Sequence, residues 1–130
     1  MKLNFWNSQE DDSLISCLKV WDTEKKDKQG MPLCLRTSRL QTASKNATAT
    51  ALAVFQNHLL AVGFTDGSVL LQRGEVGRER SLKQVVLREG SHGVSGLAFR
   101  VTARASFLFV ATTGSVLLYN ITTKDKEHKV

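Results

Sequence analysis

Three histidines, His58, His92 and His128, are the side chains of this sequence best suited to moving a proton near neutral pH. A general base needs an oriented partner within hydrogen-bond reach. His58 stands in QNHLL (56–60), a turn that leads into an apolar run, His92 in GSHGVSG (90–96), and His128 in a charged tail. Each reads as a turn or hydrogen-bonding residue. Glu10, Asp11 and Asp12 form one acidic cluster that reads as a solvated loop. No Gly-x-Ser-x-Gly elbow and no phosphate-binding Gly-Lys-Ser/Thr loop is present. Cys17 and Cys34 have no Cys-x-x-Cys neighbour, whereas a zinc site draws about four ligands at tight local spacing. Both read as small buried side chains in a reducing compartment. These residues imply no catalytic group, no metal and no cofactor.

Charge offers a different chemistry. Lys and Arg number 18 against 12 Asp and Glu, a net +6 with a pI near 9.6. A basic chain can meet nucleic acid or acidic membrane lipids, and that is the alternative function here. The basic residues are scattered, however, and the densest stretch is RGEVGRERSLK (73–83), where Arg73, Arg78, Arg80 and Lys83 are opposed by Glu75 and Glu79. Mixed charge of this kind marks a hydrated loop. It is the candidate interaction loop. No run approaches eighteen apolar residues and no signal-peptide stretch opens the chain, so a cytosolic location without a transmembrane helix is expected.

The elements that would carry these residues are written in a repeat. GFTDGSVLLQRG (63–74) is echoed by TTGSVLLYN (112–120), and LKVWD (18–22) fits the same slot. Ser68 and Ser115 stand 47 apart, Leu52 and Leu97 45 apart, and Val20 and Val69 49 apart. That period belongs to radial β-repeats. The runs are short, rich in Val, Leu, Phe and Thr, and bounded by Gly, Asp, Asn or Ser, which is how strands are punctuated. HLLAVGF (58–64) and FLFVATT (107–113) are nearly continuous apolar runs and predict strands covered on both faces. Asp66 and Gly67 supply the positive φ of a tight hairpin, and Gly114 is expected to do the same in the second copy. Fourth strands are expected over KQVVLRE (83–89) and MPLCLR (31–36).

Four antiparallel strands per unit describe a β-propeller blade, so the fold class is all-β, a WD40-like propeller fragment of about two blades plus the last strands of a preceding one. The expected organisation is an irregular segment over 1–12, a partial propeller over 13–121 with blades near 13–40, 48–90 and 92–121, and a charged tail over 122–130 that supplies no fourth strand. Trp21 and Tyr119, at matching strand ends, are expected to pack between sheets. Gly63, Gly96 and Phe99 are further turn or core positions.

The segments LKVWDTEKKDKQGMPLCLR, LAVGFTDGSVLLQRGEVGRERSLKQVVLREG and GVSGLAFRVTARASFLFVATTGSVLLYN resemble successive parts of the N-terminal propeller of the vacuolar protein sorting-associated protein 11 family. The resemblance is closest at 61–74 and 94–100 and extends over about 10–124. It implies a non-enzymatic interaction scaffold in the HOPS and CORVET tethering complexes, with other tethering subunits as partners. The implied location is cytoplasmic and peripheral to the late endosome, lysosome or vacuole, and no nucleic acid is expected. The solenoid and RING-type zinc domain of that family have no counterpart in this sequence.

Overall fold

The computed structural model describes residues 2–10, 13–40, 47–78, 83–88, 92–123 and 126–129. They form three antiparallel sheets. The first holds β1 (Lys2–Glu10), β2 (Ser13–Lys26) and β3 (Pro32–Leu40); the middle one holds β4 (Ala49–Phe55), β5 (Leu59–Phe64), β6 (Ser68–Arg73) and β7 (Lys83–Arg88). The last holds β8 (Val94–Val101), β9 (Ser106–Thr112), β10 (Val116–Thr123) and β11 (Lys126–Lys129). Within each sheet every strand pairs with its neighbours in sequence, the up-and-down order of propeller blades. The chain is a partial β-propeller.

Two expected boundaries change. Within the segment expected to be irregular over 1–12, residues 2–10 form a strand, because β1 pairs with β2 along its whole length, from Lys2 opposite Trp21 to Glu10 opposite Ser13. The reason is readable in KLNFWN. Leu3 and Phe5 alternate with polar residues and pack against the core between the first two sheets. The charged tail likewise forms a strand, β11, with Asn120 opposite His128 and Thr123 opposite Lys126. An edge strand is held by backbone hydrogen bonds on one side and needs no apolar run; lysines are common there because they discourage further pairing.

The middle sheet explains why HLLAVGF is so uniformly apolar. Every residue of β5 is buried, and alternate side chains serve different partners. Leu60, Val62 and Phe64 enter the core shared with Leu18, Val20 and Leu40 of the first sheet. Leu59 and Ala61 enter the core shared with Leu108, Val110, Tyr119 and Ile121 of the last. FLFVATT was expected to be covered in the same way, yet β9 buries only Leu108 and Val110 while Phe109 stays 37% exposed. Among the described residues, only one face of β9 has a sheet against it.

Polar side chains set the stagger of the seams. Between the first two sheets, Asn7 donates from Nδ2 to the Ala49 carbonyl at 3.0 Å, and the Ala49 amide donates to Ser16 Oγ at 2.8 Å. Across the second seam, Thr50 donates to the Val94 carbonyl at 2.6 Å. β8 packs beside β4 and β5, and Gly63 sits at the closest approach. A Cβ there would stand 2.3 Å from Val94 Cγ1, so the sheets can meet only where residue 63 has no side chain.

Candidate interaction surface

The loops at one end of the first two sheets form a single supported surface. The β6–β7 loop opens with Gly74, whose amide donates to the His58 carbonyl at 3.1 Å, and Val76, whose amide donates to the Asn57 carbonyl at 2.7 Å. Val76 is fully buried and plugs the loop into the core. Arg36, on β3 and only 6% exposed, reaches across the seam. Its guanidinium donates to the Val76 carbonyl and to Gln72 Oε1, each at 3.1 Å, and to Ser38 Oγ at 2.6 Å. A buried guanidinium is tolerated because its fork of donors meets several acceptors at once. The loop is thus fastened to the turn of one sheet and to a strand of the other.

This fastening frames a cleft of about 310 Å³ lined by Asp22, Glu24, Leu35, Asn57, Glu75 and Gly77. Three of the six residues are acidic, in a chain of net charge +6. Leu35 is 41% exposed and packs on Gly77, where a Cβ would come within 3.2 Å of its Cδ1. Two arginines of the expected basic loop are engaged. Arg73 donates to the Ile121 carbonyl at 2.8 Å and joins the middle sheet to the last. Arg78 pairs with Glu75 at 3.5 Å, an exposed contact worth under about 1 kcal/mol. Lys83 begins β7 opposite Arg73 in backbone register, and Arg80 lies outside the described residues.

The opposite end of the strands is built from turns. Thr65, Asp66 and Gly67 join β5 to β6, with Gly67 at φ +86°. Asp66 Oδ1 accepts from the Ser68 amide at 3.0 Å and from Ser68 Oγ at 2.5 Å, which closes the turn locally. The copy at Thr112–Ser115 is made differently. Gly114 does not take a positive φ; Thr112 Oγ1 instead accepts from the Gly114 and Ser115 amides at 3.2 and 3.0 Å. The exposed His92 ring lies over Gly114, 2.8 Å from where a Cβ would stand. His58 neighbours the start of β5, while His92 lies with the turns beyond its far end, so the two histidines share no site.

Several side chains fall elsewhere than expected. Trp21 does not pack between sheets. Leu18 and Val20 point into the core, so strand alternation turns Trp21 to the outer face of the first sheet, where its indole Nε1 donates to Asn4 Oδ1 at 3.0 Å. Lys19 Nζ lies between two indoles there, 5.2 Å from the Trp6 ring and 5.3 Å from the Trp21 ring. Tyr119 is 5% exposed in the second core, and Phe99 packs at its margin. Gly96 has room for a Cβ, the nearest atom being Ala111 Cβ at 3.8 Å. Neither cysteine is buried: Cys34 is exposed, Cys17 is half-buried, and both are free thiols. Among the described residues nothing packs on the outer face of this sheet to cover them.

Among the described residues no three His, Cys, Asp or Glu side chains gather as a metal site, and no helix is long and apolar enough to cross a membrane. The arrangement offers shape, charge and rigid loops. Arg36, Gln72 and Asn7 drew no attention as sequence, since an isolated Arg, Gln or Asn in a strand carries no local signal of what it will meet.

Comparison with known proteins adds a lineage. The PEP5/VPS11 N-terminal family matches residues 8–130. The vacuolar protein sorting-associated protein 11 homologues of Mus musculus and Homo sapiens are each 36% identical over 118 residues, covering 90% of this chain and 12% of their own length. The homologue of Caenorhabditis elegans is 32% identical over 127 residues, covering 91% of this chain and 13% of its own. The chain thus spans about an eighth of the curated relatives it matches. No solved structure matches it significantly.

Proposed function

The chain belongs to the PEP5/VPS11 N-terminal family, and from that premise we propose that it is a protein-interaction scaffold in vacuolar protein sorting. It acts as part of a tethering subunit of the HOPS and CORVET kind, which brings endosomal, lysosomal or vacuolar membranes together for docking and fusion. It carries no chemistry of its own. Its partners are other tethering subunits, and it meets membranes peripherally through the complex, from the cytoplasmic side.

The observation that carries this reading is the family match across residues 8–130. The loop surface supports it, because loops on a rigid β-scaffold are the usual means by which a propeller-type domain presents binding residues. Arg36 and Val76 hold one such loop in place. The nucleic-acid alternative gains nothing from the geometry, since Arg73 is engaged with the Ile121 carbonyl and Arg78 with Glu75.

The test is recovery of the tagged gene product that carries this segment from cells, followed by identification of what accompanies it. Other tethering subunits are expected to co-purify in amounts comparable with the bait. Recovery without any of them overturns the reading. Binding to duplex or single-stranded nucleic acid that falls steeply as salt rises would instead favour the alternative.

A further inference from the structure

A β-bulge aims one exposed leucine into the cleft at the seam of the first two sheets. β2 and β3 pair Val20 with Arg36 and Trp21 with Cys34, so Leu35 is an extra residue with no partner opposite it. Regular alternation would put Leu35 and Arg36 on opposite faces. The bulge instead brings both against the same loop: Arg36 donates to the Val76 carbonyl, and Leu35 lies on Gly77. Arg36 is buried there, whereas Leu35 keeps 41% of its surface exposed. Bulges recur beside functional sites because they re-aim a side chain in this way.

The walls around Leu35 carry charge. Asp22 and Glu24 come from β2, Glu75 and Gly77 from the β6–β7 loop, and Asn57 from the turn before β5. Asp22 is set in place by its own chain, its Oδ1 accepting from the Glu24 amide at 3.0 Å and the Lys25 amide at 3.2 Å. Lys25 and Lys26 follow along the strand but do not line the cleft. Glu75 shares its charge with Arg78, so Asp22 and Glu24 carry most of the weight. The cleft is thus acidic in a chain of net charge +6, with an apolar floor between two sheets that are already packed together. Its volume of about 310 Å³ lies at the low end of the roughly 300–1,000 Å³ of ligand pockets, which suits a few side chains of an extended segment.

We propose that this cleft binds a basic linear segment of a partner protein, one that sets a Lys or Arg beside an apolar side chain. The apolar side chain lies on Leu35 and Gly77, and the cation lies between the carboxylates of Asp22 and Glu24. Opposite charge at the rim selects the segment and speeds its arrival, and the rigid walls limit the ordering cost of binding. This assignment rests on the interaction-scaffold reading, and the two fail separately. A bait that purifies without tethering subunits overturns that reading and leaves the peptide selection below untouched.

Random dodecapeptides displayed on phage are selected on the purified gene product that carries this segment, and the enriched peptides are synthesised and titrated by fluorescence anisotropy. They are expected to place Lys or Arg next to an apolar residue and to bind more weakly as salt rises. The double variant Asp22→Asn, Glu24→Gln keeps the size of both side chains and the capping oxygen of residue 22. It should weaken binding about twofold to thirtyfold, the worth of two exposed charge pairs. Leu35→Ser should weaken it about threefold to eightfold, from the part of the leucine left exposed, and circular dichroism checks that this variant keeps its strands. Enrichment of acidic or uncharged peptides overturns the proposal. So does binding of basic peptides that the double variant leaves unchanged, and so does a selection that enriches no sequence.

Discussion

Gly63→Ala is the sharpest probe of how the middle and last sheets meet. The added Cβ would stand 2.3 Å from Val94 Cγ1 and 2.6 Å from Val94 Cβ, against an ordinary carbon contact of about 3.5 Å or more. Relief therefore needs a movement of roughly 1 Å. Val94 has little freedom to supply it, being 2% exposed with its carbonyl held by Thr50 at 2.6 Å. Overpacking of this kind costs about 1–3 kcal/mol, and the entropy that Ala removes from the unfolded chain returns about 0.4–1 kcal/mol. The net loss should be about 1–2 kcal/mol, which lowers the urea midpoint by roughly 1 M for an m-value of about 1.5 kcal/mol/M. Val94→Ala alone opens a cavity and destabilises. Combined with Gly63→Ala it should give back part of the loss, a coupling of about 1 kcal/mol between touching residues. Gly96→Ala is the control, because its nearest neighbour is 3.8 Å away, and it should be neutral or slightly stabilising. Equal midpoints for Gly63→Ala and wild type, or strict additivity in the double variant, would refute the packing account.

Three further outcomes follow from particular contacts. Arg36→Met keeps the bulk but leaves Gln72 Oε1 and the Val76 carbonyl without their guanidinium donor in the seam, so a loss of about 2–4 kcal/mol is expected in urea unfolding; a change below about 0.5 kcal/mol would mean that water replaces the guanidinium. Gly67→Ala forces a side chain onto φ +86° and should cost about 1–2 kcal/mol, whereas Gly114→Ala meets only the edge of an exposed His92 ring and should cost under about 0.5 kcal/mol; equal costs would show that the two turns are alike after all. Cys34, exposed on β3, should react with a thiol reagent in the folded protein well before half-buried Cys17, as peptide mapping of the labelled chain would read; the reverse order would contradict the placement of the two strands.

Much of the fold was legible because strands announce themselves locally. Alternation, turn residues and the repeat of Gly-Ser-Val-Leu-Leu located the strands of the middle sheet to within a residue or two. The two terminal strands were missed for a physical reason. β1 has only Leu3 and Phe5 to bury, and β11 is an edge whose pairing is made by backbone groups that carry no sequence signature. The candidate surface was harder still. RGEVGRERSLK read as a basic loop, because charge counts do not reveal that Arg73 will find the Ile121 carbonyl or that Arg78 will turn to Glu75.

The sequence by itself determined the all-β class, the period of the sheets, the Asp66–Gly67 turn and the family, since each depends on neighbours within a few residues or on a pattern repeated along the chain. Only the tertiary structure decided which face each tryptophan takes, why Gly63 must be small, and what Arg36 is for. Those depend on residues 20 to 40 positions away, brought together when two sheets close on one another. Gly63 and Gly67 stand four residues apart in one short string. One is a glycine because of its own φ, the other because Val94 arrives from the next sheet.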